Sequence, residues 1–373
     1  MRHSLAAAVL AAYILLPPAA RAACPDPEVD SAVASLPTLA GYSYDDSDDP
    51  EAGEGEGDEN AVAQPDTTLA VRPGTSLDIE NFSGPISVKT WDKNELKIAV
   101  DHGVRDHVTI ERTGSTIHLK VKWRRWVPGT VHYRIVAPRW MKLGLSGVNT
   151  SVDIQDSGGE IHVETVQGDI SLKGSTGFAS LSSVQGGILA QDVRGRVEAS
   201  SVNETVRLSN VTGPIFAESV NGGIEIQGAS SDSVDASTVN GPVLFEGQVS
   251  DRGFYRFATH NGCIDVAMPE RSNATVSLST FSGGIDSSFP VTLKKIKSRR
   301  FETTLGTGRA KFELESFQGT IFLRRPGEAR ANCDSDDEED NGVKQDKVHN
   351  VHKGEKSKKG DKEDTDDDSG DDE

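Results

Sequence analysis

From residue 148 onward an apolar residue followed by Asn, Gln or Ser returns every eighteen residues, at Val148, Val166, Val184, Val202 and Val220. The series goes on at Val239, His260, Phe281 and Phe317 with steps of 19, 21, 21 and 36. The last step is two periods, which places a degenerate turn near residues 297–308. "ENFSGPISV" sets Phe82 in the same role. A fixed period of this length marks a stacked array, because one such unit is too small to bury its own apolar face.

The columns of the repeat show how each unit is built. Gly stands third (Gly168, Gly186, Gly222, Gly241, Gly262, Gly283, Gly319), and the fifth and seventh positions are apolar, as in Ile170 and Leu172 or Ile224 and Ile226. A second turn follows at "KGSTG", "QDVRG" or "SNVTG". The residue before the leading apolar one is Ser or Thr from Thr165 to Ser316. Alternation with period two between Gly-rich turns predicts two short strands per repeat.

Two architectures fit. In an antiparallel meander Asn-Gly closes a two-residue hairpin and Val220 faces solvent. In a parallel β-solenoid the chain bends at the valine, the valine turns inward, and equivalent residues stack. A position that stays Val through repeat after repeat favours the solenoid. The expectation is therefore an all-β, single-stranded β-helix-like solenoid of about 18-residue coils. Asn149, Gln167, Gln185, Asn203, Asn221, Asn240 and Asn261 then form an amide ladder at ~4.8 Å spacing, with a Ser/Thr ladder beside it. About ten coils make a stack of roughly 50 Å. On this reading Val220→Asp places a charge in a shared core. Residues 89–147 break the period with the alternating runs "ELKIAV", "HVTIE", "TIHLKVKW" and "VHYRIVA", and are expected to form an N-terminal antiparallel hairpin cap.

Composition divides the rest of the chain. Residues 1–22 read as a secretory signal peptide with an apolar run too short to span a bilayer, so the expected location is periplasm or cell surface. Arg21, three places before Cys24, argues against a lipid anchor there. The formal charge of -19 lies in two flanks: residues 24–66 hold thirteen Asp/Glu and no Lys/Arg, and residues 332–373 hold seventeen against seven lysines. Residues 67–331 are close to neutral. The flanks 23–66 and 332–373 are expected to be disordered, since they carry little to bury. Cys24, Cys263 and Cys333 sit in a compartment that permits disulfides, and Cys24–Cys333 is one conceivable pairing.

The segments "ISVKTWDKNELKIAV", "YRIVAPRWMKLGL", the "SVNG/TVNG" series and "SGGIDSSFPVTL...TLGTG...FELESFQGTIFLRRP" together resemble the DUF4097 family, bacterial exported proteins of β-strand repeats to which an adhesive role is ascribed. The likeness runs from about Thr67 to Pro326. It implies fold and compartment, and no catalytic residues to carry over. "VNET" at 202–205 lacks the glycine, and His260 replaces the corner valine.

Catalytic signatures are few. Glu225, Asp265 and Asp286 share one column and could form an acidic patch, the basis of an alternative reading as a polysaccharide-active enzyme. His260 and Cys263 lie at one corner without a third ligand, Cys263 being read as an outward residue, and no cofactor, metal or nucleic-acid partner is expected. The segment singled out for binding is "KVKWRRWVPG" with its neighbours: Lys120, Lys122, Trp123, Arg124, Arg125, Trp126, Arg139 and Trp140. Arg and Trp together suit anionic glycans, phosphates or lipid headgroups. The expected function is a non-enzymatic envelope protein that binds a surface or associates with itself.

Overall fold

A computed structural model describes residues 61–63, 67–103, 106–123, 129–297 and 299–330 together with Cys333; of the side chains of 61–63, Asp106, Trp123 and Lys297 it describes nothing. The stretch read as a signal peptide, residues 1–22, and nearly all of both acidic flanks lie outside the described residues. Among those described, all regular structure is β, in 26 strands.

Most coils consist of two strands that pair in parallel, in register, with the same strands of the coils before and after. Val152–Gln155 lies on Ile170–Lys173, which lies on Ile188–Gln191, then Val206–Ser209 and the start of Ile224–Asn240. The companion sheet stacks Lys142–Asn149, Ile161–Gln167, Ala179–Gln185, Val197–Ser201 and Ile215–Glu218. The chain is a parallel β-solenoid, as the stacked columns predict.

Alternation along each strand sends every second side chain into one continuous core between the sheets. Ile170, Leu172, Ile188, Val206, Leu208, Ile224 and Ile226 face Ile161, Val163, Leu181, Val197 and Ile215, all at most 3% exposed. Alanines 190, 199, 217 and 236 keep the sheets close in the middle of the stack. Where the period lengthens, the core swells with Phe245, Tyr255, Phe257 and Phe312; Tyr255 and Phe312 stack with ring centres 4.3 Å apart. Tyr255 keeps its hydroxyl satisfied by donating to the Ser231 carbonyl at 2.7 Å.

The second turn has its own period. Asp156, Gly174, Asp192, Asn210 and Gly228, each eighteen residues after the last, all take φ between 55° and 69°. That left-handed conformation is one that Gly, Asn and Asp tolerate and most residues do not. Asn210 and Asp192 also bond side chain to side chain at 3.0 Å, a second polar rung.

Both ends differ from expectation in the same way. At the N-terminal end, Ser76–Ser83 and Ile86–Trp91 are not the outermost coil. Thr116–Trp123 pairs in parallel outside the first and Val131–Pro138 outside the second. The expected 89–147 hairpin insertion is thus in part a further coil, and Lys142–Asn149 already belongs to the regular stack. Antiparallel caps come from Asp106–Thr113 against Thr116–Trp123 and from Glu95–Gly103 against Val131–Pro138. Ala61–Ala63, inside the flank expected to be disordered, is a strand on Glu95–Gly103.

At the other end, Ala310–Gln318 inserts between the end of Val243–Asn261 and Ala274–Ser282. Ile321–Arg324 likewise separates Ile264–Ala267 from Ile285–Ser287. The degenerate turn expected at 297–308 is instead an antiparallel cap: Arg300–Leu305 pairs with Ala274–Ser282, and Lys294–Lys297 with Arg300–Leu305. Cys333, beyond the expected end of the repeat domain at 331, is disulfide-bonded to Cys263 with Cα atoms 5.6 Å apart. Cys263 is buried, not outward, and Cys333 does not pair with Cys24.

Candidate binding surface

The corner that opens each second strand is built differently from the sequence expectation. In "HVETVQG" the alternation runs Val163 in, Glu164 out, Thr165 in, Val166 out, and the bend comes one residue after the valine. The leading column therefore faces solvent: Phe82, Val148, Val166, Val220, Val239, Phe317 and Phe281 are 39–56% exposed, with Val184 and Val202 intermediate. The solenoid and the outward valine, treated as exclusive alternatives, occur together.

The inward corner residue is the Ser or Thr. Thr165, Ser183, Ser201, Ser219, Thr238, Thr259, Thr280 and Ser316 are all at most 9% exposed. These hydroxyls do not chiefly ladder with one another, although Thr165 donates to Ser183 at 3.1 Å. They reach the backbone: Thr238 donates to the Gly222 carbonyl at 2.7 Å, Thr259 to Gly241 at 2.9 Å, Ser316 to Gly262 at 3.0 Å. Each bond satisfies a corner carbonyl that the parallel ladder leaves over. The glycine is required by crowding: at Gly262, φ 154°, a Cβ would collide with the Gly241 carbonyl oxygen of the next coil.

Beside the apolar ridge runs the amide ladder. Asn261 donates to Asn240 at 2.8 Å, Asn240 to Asn221 and Asn221 to Asn203 at 3.0 Å, and Gln167 to Gln185 at 2.8 Å. Asn149 stands in register beside Gln167. Together these give a straight strip of apolar side chains edged by amides that bond mainly to each other.

The ridge ends in a column of rings that the sequence order conceals. Because Ala310–Gln318 is interposed, Phe317 lies between His260 and Phe281, with ring centres 4.6 and 4.7 Å apart and planes within 6° of parallel. The Arg299 guanidinium covers the far face of Phe281 at 3.5 Å. The signal for this was the doubled step of 36 residues before Phe317.

The acidic column does not assemble. Asp265 is fully buried and accepts from the Arg324 guanidinium at 2.7 Å, while Arg324 also reaches Glu246 at 3.3 Å. Glu225 lies near Arg207 and Arg330 at 3.7 and 3.5 Å. Phe322 stands between Asp265 and Asp286. Of the three carboxylates, Asp265 and Glu225 are held in ion pairs and Asp286 stands apart beyond an aromatic rung.

The basic Trp segment is only partly visible. Lys120 pairs with Glu80 at 3.2 Å and Lys122 with Glu111 at 3.3 Å. Trp140 packs against the core and donates to Asn94 at 3.0 Å, while Arg139 is exposed. The Trp123 side chain and Arg124, Arg125 and Trp126 lie outside the described residues. A shallow notch of about 260 Å³ opens nearby where Gly144 replaces a side chain between Asp78 and His162. At its rim Glu160 accepts from Lys142, with His162 beside it, and both hold its carboxyl below the usual range. No group of three or more His, Cys, Asp or Glu among the described residues is placed to hold a metal ion.

A family profile described as Toastrack DUF4097 matches residues 53–324. The chain belongs to the Toastrack DUF4097 family. The resemblance read from four separate segments is thus confirmed over nearly the same span. Solved structures similar to this Toastrack chain include a candidate cell adhesion protein of Clostridium sporogenes ATCC 15579, 9% identical, covering 70% of this chain and 99% of its own, with a TM-score of 0.19. A candidate adhesin of Bacteroides fragilis NCTC 9343 is 14% identical, covers 71% and 97%, and scores 0.30. Another from Parabacteroides distasonis ATCC 8503 is 11% identical, covers 71% and 98%, and scores 0.31. No curated protein matches the chain significantly.

Proposed function

We propose that this Toastrack chain is a non-enzymatic, adhesin-like scaffold of the cell envelope, which offers its corner ridge to another surface. The observation that carries this reading is the ridge itself. A contiguous apolar strip running from coil to coil, rather than scattered single side chains, is the kind of surface that marks an interaction site. Its backing is firm, since buried Ser/Thr hydroxyls bond corner carbonyls on one side and amides bond one another on the other. The amides alongside are engaged with one another, so contact with the ridge costs little polar desolvation. The leader of residues 1–22 and the Cys263–Cys333 bond favour export, because such bonds persist in oxidising compartments.

Sedimentation with isolated cell envelopes tests the ridge. Val166→Ser/Val220→Ser/Val239→Ser should lose retention while melting like the parent. If that triple variant sediments as the parent does, the ridge is not the contact.

A further inference from the structure

The C-terminal cap does not resemble an ordinary polar lid. Its outermost strand, Lys294–Lys297, pairs among the described residues on one side only. The stretch "KKIKSRR" at 294–300 carries five Lys/Arg and no Asp/Glu, in an ordered region that is otherwise near neutral. Glu302 stands opposite Lys294 and is the single carboxylate facing this strand from its neighbour. Protection of a sheet edge accounts for lysines. It does not account for the apolar side chains set among them.

Phe281, 56% exposed, and Ile296, 46% exposed, are the two most exposed large apolar side chains among the described residues, and Leu293 is 38% exposed. Lys294 and Lys295 are exposed beside them. Arg299 is fixed at the rim, donating to the Phe281 carbonyl at 2.8 Å with its guanidinium on the Phe281 ring. The result is one exposed patch of basic and apolar side chains on the C-terminal cap. Basic residues interleaved with protruding aliphatic and aromatic ones fit a partner that is anionic at its surface and apolar just beneath it. An acidic peptide or a polysaccharide offers the first property and lacks the second.

We propose that the C-terminal tip docks on an anionic lipid surface, with Lys294, Lys295 and Arg299 at the headgroups and Leu293, Ile296 and Phe281 in the interfacial layer. The tip shares Phe281 with the end of the corner ridge, and the proposal does not depend on the ridge valines Val166, Val220 and Val239.

The test is co-sedimentation of the full chain with vesicles of phosphatidylcholine alone or containing phosphatidylglycerol. Binding should need phosphatidylglycerol and weaken as salt rises. Lys294→Glu/Lys295→Glu should weaken it on the order of a hundredfold. Leu293→Ser/Ile296→Ser should weaken it even at low salt, while the ridge triple variant should bind vesicles as the parent does. Equal binding to phosphatidylcholine, no loss on charge reversal, or no binding by folded parent protein would overturn the proposal. Displacement by millimolar glycerol phosphate would assign the site to free phosphate instead and also overturn it.

Discussion

At each corner two neighbouring residues do opposite things, and the difference fixes what substitution should cost. Thr238 is buried, and its hydroxyl is the partner of the Gly222 carbonyl; Val220, one position further along the preceding corner, meets water. Thr238→Val keeps the shape and removes the donor, leaving a buried carbonyl without its bond at a cost of about 1–3 kcal/mol. Val220→Asp, a core-breaking change if the valine pointed inward, should instead stay within about 0.5 kcal/mol of the parent. Urea denaturation of the two variants decides the matter, and the opposite ranking would mean that the corner is inverted. The sequence shows a constant apolar column plainly. It does not show which side of the bend that column occupies, because the bend falls one residue later than the column suggests. Strict alternation from Val163 through Thr165 already carried the answer, and the constancy of the valines outweighed it.

Among the elements, the last strand and the residues after it bind coils the sequence sets far apart. Arg324 is buried against Asp265, Arg330 reaches Glu225, and Cys333 is bonded to Cys263 across 70 residues. Closing a loop of that length removes unfolded-state entropy worth about 4 kcal/mol. Cys333→Ser should lower stability toward that amount in non-reducing denaturation and make the protein insensitive to reductant; a variant equal to the oxidised parent would show that this stretch holds without the bond. Strands, turns and the amide ladder were legible because each is a local repeat. The disulfide and the Arg324–Asp265 pair were not, since both join residues that no shared period relates. The acidic column looked continuous for the same reason: counting along the chain places Asp286 next to Asp265, while the fold places Phe322 between them.

For the molecule as a whole, the order of coils in space is not their order in the chain. Among the described residues Ala274–Ser282 pairs with the stack only through Ala310–Gln318, so the penultimate coil should not settle until the last has arrived. Gly319→Val, whose side chain would strike the Gly262 carbonyl oxygen, should prevent that seating. Hydrogen exchange should then show protection lost together from 274–282, 300–305 and 310–324, with 161–227 still protected. Retained protection at 274–282 alone would mean that this coil docks independently.

The interleaved ends also decide how such a protein can change its length. A copy of the final repeat added after Ile321–Arg324 would have no place to sit, because that strand already lies between Ile264–Ala267 and Ile285–Ser287. One more eighteen-residue unit spliced between Ile161 and Gln227, by contrast, would meet the same corner, the same left-handed turn and the same facing columns above and below. The two closures would move apart by one strand spacing, ~4.8 Å, and remain otherwise unaltered. The distance between the basic tip and the opposite cap is therefore adjustable in fixed increments, set by the number of middle repeats.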